Sequence, residues 1–501
     1  MYELVTVLEL IESITINDHA ALIKPLFDVL AAMINADLRD APVSLEYISQ
    51  LIMSSLTRII RSVKDENLQV QESILRVDVV VQCIRTTGNP QTHNQALLLM
   101  ATIASLYPES VLNNIMAVFT FMGANVLRQD DNYSFQVIQQ TLEKIIPPMV
   151  ESSRRKNPDN TAMALQVKPI IKVFVGALFH IPKHRRLPLF TVLVRTMGED
   201  EFLYAVISLL LEKYANRVDK EDDESVAVFS QMLSQQFSTT TQIKAVNSLL
   251  LGLLALPNDK SDDDDVEMQT AQTIFDINEH NAKELRRYKL LVMSYIDLLL
   301  GSRGFLTKIM DEQDNINFDL YLETVEILLK LVSYFASFRD EYGVSEGAKI
   351  SITKFWRNIL KVVFDVLDKV NGLLPLDAFV KVVTHLIKHQ ETAIRRKAMN
   401  LFNERINMFE VADEDEEQLL VNMVKEFTAV IENESNMSSE DDSAINKQSA
   451  LMCISSLTSI LGNVHPAAFV DALPTILGAQ CLQLPNTQVK ITSLSCLAVI
   501  M

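Results

Sequence analysis

Residues 374–409 contain two runs of apolar residues at helical spacing, separated by a short polar break at Gln390 and Glu391. Each run places its apolar residues on one face of a helix. The two faces consist of Phe379, Val382, Val383, Leu386 and Ile387 in the first run, and of Ile394, Ala398, Leu401 and Phe402 in the second. The pattern predicts two antiparallel helices, and neither can cover its own apolar stripe. Further helices must therefore pack beside this pair.

The same alternation of apolar-periodic runs and short polar breaks extends along most of the chain. It indicates a protein built from helices, because Gly-rich turns between alternating apolar and polar residues, which are typical of β-sheets, are nearly absent. The other runs predict helices at 4–16, 23–34, 45–63, 68–84, 95–106, 108–121, 133–146, 164–179, 187–197, 202–214, 226–237, 243–256, 285–300, 318–335 and 349–370.

A short motif recurs at the start of the second helix of a pair. It appears around Arg395, again at 447–450, and again at 489–494, with 53 residues from Arg395 to Gln448 and 42 from Gln448 to Lys490. Such hairpins resemble the HEAT repeat, whose period is about 40–47 residues. The sequence thus predicts an all-α, HEAT/armadillo-like α-solenoid of stacked antiparallel helix pairs, with Arg395 facing inward and Arg396 on the surface.

Four successive Asp residues at 262–265 mark the clearest break in the chain, because neighbouring carboxylates repel one another and resist burial. We therefore predict a first helical-repeat array at 1–256, an acidic linker at 257–272 and a second array at 273–501. The last apolar run reaches Met501 with one face uncovered. Terminal repeats normally carry a polar capping face, so we expect the sequence to be a piece of a longer solenoid.

The formal net charge of −19 argues against general attraction to nucleic acid or to an anionic membrane. Any contact with RNA phosphates must then be local. Two basic clusters are the candidates: the first comprises Arg154, Arg155 and Lys156 in a predicted polar loop at 152–161, and the second comprises Lys183, Arg185 and Arg186. Ser261, Ser438 and Ser439 precede runs of acidic residues. This pattern is typical of substrates of an acid-directed kinase and equally of a solvated segment.

We predict neither export nor a membrane span, because the N-terminal stretch is acidic and no uninterrupted apolar run approaches about 18 residues. The four cysteines lie in apolar helical stripes without a C-x-x-C spacing, which predicts buried, reduced thiols.

No pattern of catalytic residues stands out. The chain has no G-x-S-x-G, no G-x-x-x-x-G-K-[ST] and no G-x-G-x-x-G motif. His385 and His389 have the i, i+4 spacing of a zinc site on one helix, but Leu386 stands where a zincin places its Glu base. We expect no enzymatic activity, no small-molecule substrate, no metal and no other cofactor.

Two stretches go beyond a generic repeat: NNIMAVFTFMGANV at 113–126, followed by Arg128, Asp130, Asp131 and YSFQVI at 133–138, and HRRLPLF at 184–190. Both resemble the U-three small nucleolar RNA-associated protein ten family, the large HEAT-repeat subunit of the small-subunit processome. The specific similarity covers roughly residues 97–214.

The resemblance implies a non-enzymatic nucleolar scaffold. Its partners would be other processome proteins of the transcription-linked subcomplex, with pre-rRNA and the small nucleolar ribonucleoprotein contacted either directly or through those proteins. It would act in small-subunit rRNA maturation and support transcription of rDNA by RNA polymerase I. The alternative is a HEAT-repeat nuclear transport adaptor that binds protein cargo.

Overall fold

The protein is described by a computed structural model for residues 2–13, 19–35, 42–65, 70–87, 89–107, 110–111, 114, 132–156, 160–215, 220–257, 273–311, 318–343, 350–389, 392–407, 414–437 and 440–501. Over these residues the secondary structure is helical, and no strand is present. The predicted all-α class is confirmed. The helix predicted at 108–121 and most of the stretch at 113–131 lie outside the described residues.

The helices are numbered here in chain order. They are α1 (Tyr2–Ser13), α2 (Ile23–Asn35), α3 (Pro42–Asp65), α4 (Val77–Thr86), α5 (Pro90–Ala104), α6 (Asn132–Lys156), α7 (Asn160–Ala177), α8 (Lys183–Met197), α9 (Glu199–Ala215), α10 (Lys220–Ser234), α11 (Thr239–Ala255), α12 (Ala282–Leu300), α13 (Arg303–Asp311), α14 (Phe318–Gly343), α15 (Ile350–Leu373), α16 (Leu376–Leu386), α17 (Thr392–Ile406), α18 (Glu414–Met437), α19 (Glu440–Leu461), α20 (Pro466–Val470), α21 (Leu473–Leu477) and α22 (Thr487–Ile500). Short 3₁₀ turns occur at His19–Leu22, Glu72–Ile74, Leu178–His180 and Ile277–Glu279.

The described chain forms two compact units, Met1–Tyr295 and Ile296–Met501. The division falls within α12, downstream of the predicted linker at 257–272. Residues 258–272 lie outside the described part of the chain, so the linker stays a prediction.

Within each unit, helices that are two apart in sequence pack in rows. In the first unit α1, α3 and α5 pack in succession, and so do α7, α9 and α11. In the second unit α17, α19 and α22 form such a row, with α16 against α18 beside it. Two parallel rows of helices are what a stack of helical hairpins produces, and the solenoid prediction is confirmed.

Side-chain hydrogen bonds join neighbouring hairpins at nearly constant sequence separations. Ser54 donates to Glu12 across 42 residues, and Lys244 donates to Asp200 across 44. In the second unit, Arg396 donates to Asp442 across 46 residues. These separations match the period of about 40–47 residues that characterises HEAT repeats.

Helix α6 is longer than predicted. The expected end at Pro147 and Pro148 is wrong, because the helix continues through both prolines to Lys156. Each proline removes one backbone hydrogen bond, yet Pro147 lies on the exposed side, where water can serve the freed carbonyl groups. Burial of the flanking Ile146 and Met149 compensates for the lost bonds.

Other boundaries also differ from the prediction. The helix expected at 68–84 is a 3₁₀ turn followed by the shorter α4, which begins at Val77. The acidic stretch at 432–443 is mostly helical: α18 extends to Met437 and α19 begins at Glu440.

Large buried aromatic side chains connect the hairpins of the second unit. The Phe402 ring lies 6.1 Å from Phe379 and 5.0 Å from Phe427, measured between centroids, so one residue of α17 contacts both α16 and α18. Arg395 is 1% exposed and donates from Nη1 to the carbonyl oxygen of His389 at 2.8 Å. Its inward orientation agrees with the prediction.

All four cysteines are buried free thiols, as predicted. Burial raises the pKa of Cys83 and Cys481 to about 11 and that of Cys496 to about 12, and it also raises the pKa of Cys453. Neutral thiols in apolar surroundings act as small core side chains rather than nucleophiles.

Arg396 is not the simple surface residue that the sequence suggested, because its Nη2 and Nε donate to Asp442 at 2.7 Å and to Asn446 at 3.0 Å. We expect Arg396→Ala to lower the free energy of unfolding by about 1 kcal/mol, measured by urea denaturation. The exposed pair of Lys381 with Asp377 is the control: Lys381→Ala should cost less than about 0.5 kcal/mol. Equal effects would contradict a contribution from the inter-hairpin contact.

The thiols predict a specific pH dependence. Folding raises the pKa of these thiols, so above pH about 9 the thiols of the unfolded chain ionise before those of the folded chain. Their full contribution to the free energy of unfolding is therefore present below pH about 9. It is lost as the pH rises towards 11 or 12. We expect alkylation of the native protein at pH 8 to be slow and alkylation after denaturation to modify all four thiols. Stability should fall less steeply between pH 9 and 11 in Cys83→Ala than in the parent chain, and an equal slope would contradict the assignment.

Candidate functional site

The first basic cluster lies on the last turn of α6, not on a loop as the sequence suggested. Residues 152–156 continue the helix that passes through the two prolines. Arg154 and Arg155 are both exposed, and Lys156 is the last residue of the helix. Adjacent positions on a helix point about 100° apart, so the cluster does not form one flat basic face.

Acidic neighbours already neutralise part of this cluster. Arg154 donates from Nη2 to Glu201 of α9 at 2.5 Å and lies 3.4 Å from Glu151. The hydrogen bond with Glu201 raises the pKa of Arg154 above its ordinary value. Arg155 lies 3.4 Å from Glu151, and 78% of its side chain is exposed. An exposed pair of this kind is weak, so Arg155 can exchange Glu151 for a phosphate at little cost.

The second basic cluster begins α8. Pro182 is the N-cap residue and separates the helix from the 3₁₀ turn Leu178–His180. Arg186 donates from Nε to the carbonyl oxygen of Ile181 at 2.9 Å, and its guanidinium carbon lies 5.2 Å from the centroid of the Phe179 ring. Arg186 thus stabilises the turn that precedes its own helix.

The other members of this cluster differ in exposure. Lys183 is exposed at the start of α8, and Arg185 is half-buried. The described geometry therefore separates four of the six candidate cations by role. Arg154 and Arg186 are engaged within the protein, whereas Arg155 and Lys183 present their charges to solvent.

A groove of about 340 Å³ lies between α9, α11 and the segment at 273–275. Leu251 is 47% exposed at its edge, and Asp200 is among its polar lining residues. Burial raises the pKa of Asp200, but hydrogen bonds from Lys244 and Thr241 outweigh this effect and hold the pKa below its ordinary value. Asp200 is therefore a charged structural link between hairpins rather than a general base, which requires a pKa closer to neutral pH.

The structure brings together a buried polar cluster that the sequence analysis missed. His280 Nε2 lies 3.1 Å from Glu212 Oε1, and His280 Nδ1 lies 3.2 Å from Glu284 Oε2. Glu279 completes a group whose possible ligand atoms, together with those of Glu212 and His280, lie within 4.8 Å of one another. No short sequence motif predicts this cluster, because Glu212 precedes His280 by 68 residues.

The histidine pair considered in the sequence has a different geometry from the one expected. Helix α16 ends at Leu386, so His389 lies beyond it and the two histidines do not share a helix. His389 Nε2 is 3.9 Å from Glu326, which in turn accepts a hydrogen bond from Lys330 at 2.6 Å.

By length and composition, Ala162–His180 could cross a membrane, with a mean hydropathy of 1.6, and half of it is buried within the protein. The bent pair α12 and α13 is long and apolar enough to do so only if the two helices are taken as one span. Core helices of soluble proteins are often as long and as apolar, so these features alone do not establish a membrane span. The absence of a membrane span stays a prediction.

Comparison with known proteins identifies related chains. The family described as "HEATR1-like, HEAT repeats" matches residues 162–372. HEAT repeat-containing protein 1 of Homo sapiens is 33% identical over 86% of this chain, which spans 21% of that protein. U3 small nucleolar RNA-associated protein 10 of Pyricularia oryzae is 29% identical over 98% of this chain, which spans 25% of that protein.

Among solved structures, the karyopherin Kap121p bound to the extreme C-terminus of the phosphatase Cdc14p covers 96% of this chain, and this chain covers 46% of Kap121p. The identity is 12% and the TM-score is 0.28, a similarity too low to support a conclusion. The sequence relationships, by contrast, extend across nearly the whole chain. The chain belongs to the family of HEAT repeat-containing protein 1 and U3 small nucleolar RNA-associated protein 10.

Proposed function

We propose that this chain is part of a non-enzymatic HEAT-repeat scaffold in ribosome biogenesis. It would act in the nucleolus, within the small-subunit processome, in the maturation of small-subunit rRNA and in support of rDNA transcription. The observation that carries the proposal is the similarity to U3 small nucleolar RNA-associated protein 10 over 98% of the chain. The name of that relative places it with a small nucleolar RNA, and this chain spans a quarter of its length.

The architecture supports a scaffold. Stacked hairpins present long rows of helices, and repeat proteins use such extended surfaces to bind partners. The sequence contains none of the phosphate-binding or nucleophile motifs named above, and the groove between α9 and α11 holds its one lining Asp in a structural hydrogen-bond network. These features favour binding over catalysis.

The charge distribution favours protein partners over extensive RNA contact. The net charge of −19 repels a polyanion, and Arg154 and Arg186 direct their cations to groups within the protein. Of the two basic clusters, Arg155 and Lys183 are then the foremost candidates for direct RNA contact. We infer that any contact of these clusters with pre-rRNA is local.

A nuclear transport adaptor remains the second candidate function. Its support is weaker, because the relatives that match most of the chain are not named as transport proteins. The similarity to the karyopherin Kap121p has a TM-score of only 0.28 and supports no conclusion. The two candidates differ in the partners that they would bind.

Affinity purification of the tagged chain from a nucleolar extract distinguishes the two functions. We expect processome proteins and U3 small nucleolar RNA to co-purify, with the RNA quantified by reverse transcription and the proteins by mass spectrometry. Ribonuclease treatment should leave most protein partners bound if protein surfaces dominate recognition. Recovery of nuclear-pore proteins and a small GTPase in their place would contradict the scaffold proposal.

A salt series measures direct RNA contact. We expect the purified chain to bind a single-stranded segment of the 5′ external spacer weakly. The double variant Arg155→Gln/Lys183→Gln should reduce the slope of log affinity against log salt concentration by about 1.4, because each neutralised single-strand phosphate contributes about 0.7. The matched control Lys381→Gln/Lys388→Gln removes the same charge from exposed positions of the second unit and should leave the slope unchanged. Equal slopes for both variants would remove these cations from the RNA interface.

A further inference from the structure

The buried cluster around His280 has the composition of a metal centre. His280 follows the 3₁₀ turn Ile277–Glu279 and is 8% exposed, and it faces Glu212 of α9, which is 4% exposed. Burial of a carboxylate at this depth is costly unless a partner stabilises its charge. The partners present in the cluster therefore decide what it can bind.

One oxygen of Glu212 has no hydrogen-bond partner among the described residues. Its Oε1 lies 3.1 Å from His280 Nε2 and accepts a hydrogen bond from the backbone N–H of Asp276 at 3.3 Å. Its Oε2 is buried and receives no hydrogen bond from the part of the chain that the structure describes. A buried acceptor left without a donor costs about 1–3 kcal/mol, and more when it is charged. A cation bound to the carboxylate through Oε1 would offset the charge that Oε2 shares.

The spacing of the donors suits a small ion. In tetrahedral zinc sites the bonds to nitrogen and oxygen are about 2.0–2.1 Å, so two ligand atoms lie about 3.3 Å apart. The 3.1 Å between His280 and Glu212 is close to this value. Glu279 is 61% exposed at its side chain, and its ligand oxygen lies within 4.8 Å of the other two. A rotation of this exposed side chain away from Lys172 would close the remaining gap.

Glu284 positions the imidazole for this role. Its Oε2 lies 3.2 Å from His280 Nδ1, and the ring of Phe275 stacks on the imidazole at 4.7 Å between centroids. A carboxylate on one ring nitrogen retains the proton there and leaves the lone pair on the other, which is the arrangement found behind metal-binding histidines. Nε2 is then a ligand directed towards Glu212.

The charge of the surroundings also fits a divalent cation. Asp276, Glu212, Glu279 and Glu284 bring four carboxylates to the cluster. Two ammonium groups face them, because Lys168 lies 3.7 Å from Asp276 and Lys172 lies 3.1 Å from Glu279. With a neutral imidazole, two negative charges remain. A nitrogen ligand beside carboxylates favours zinc over magnesium and calcium, which prefer oxygen alone.

We propose that Glu212, Glu279 and His280 bind one zinc ion, which fastens the segment at 276–280 to α9. The bond of the ion to Glu212 would link α9 to a segment 68 residues further along the chain. The site is independent of the scaffold function, and its role is structural.

Zinc binding to the chelator-treated chain tests the proposal, by competition with a chromophoric zinc chelator and by the visible absorption of bound Co²⁺. We expect one equivalent of zinc at micromolar affinity or better, and a higher midpoint of thermal unfolding with zinc. Glu279→Gln changes an exposed side chain, so the variant should fold and yet bind zinc at least tenfold more weakly. His280→Ala and Glu212→Gln should abolish binding.

The control is His465→Ala, because His465 Nε2 contacts Glu417 at 3.0 Å in a similar but more exposed pair without further ligands among the described residues. This variant should retain full zinc affinity. The proposal is overturned if the parent chain binds no stoichiometric zinc, in which case the cluster is an imidazole held between carboxylates by hydrogen bonds. It is equally overturned if Glu279→Gln binds zinc as tightly as the parent does.

Discussion

The described helices carry apolar stripes that only neighbouring helices, within the same hairpin and in the next one, can cover, and the rest of the structure depends on that burial. In the second unit, Phe402 contacts Phe379 on one side and Phe427 on the other, so a single side chain belongs to two interfaces. Contacts of this kind propagate along the stack because each hairpin uses its neighbours as its core. The repeat period therefore reappears as the sequence separation of the hydrogen bonds between hairpins.

Buried cations add directionality to this apolar packing. Lys289 is fully buried and donates to the carbonyl oxygen of Pro257 at 2.7 Å, and Lys447 is 1% exposed and donates to Gln480 at 2.7 Å. Together with Arg395, they place a charge where a helix meets a turn or a neighbouring helix. Apolar contacts tolerate small shifts in register, whereas a buried charge that loses its acceptor strongly destabilises the fold. These residues therefore fix the position of each helix relative to its neighbours.

The same use of cations shapes what the surface can bind. Arg154, Arg186 and Lys244 direct positive charge to carboxylates or carbonyl groups of the protein itself. The sequence has 45 Lys and Arg against 64 Asp and Glu. Each internal ion pair uses one charge of either sign, so the excess of negative charge remains. Such a surface discourages non-specific contact with nucleic acid.

The sequence by itself determined the fold class, the position of most helices and the burial of Arg395 and the cysteines, because helical periodicity is a local property that neighbouring residues encode. Its similarity to a known family also indicated the functional class. The tertiary structure decided features that depend on distant residues. Helix α6 continues through Pro147 because packing of Ile146 and Met149 outweighs the lost hydrogen bonds, and Arg396 acquires its role from residues 46 to 50 positions away. Glu212 and His280 meet only because the chain folds back on α9, and no local pattern can encode such a meeting.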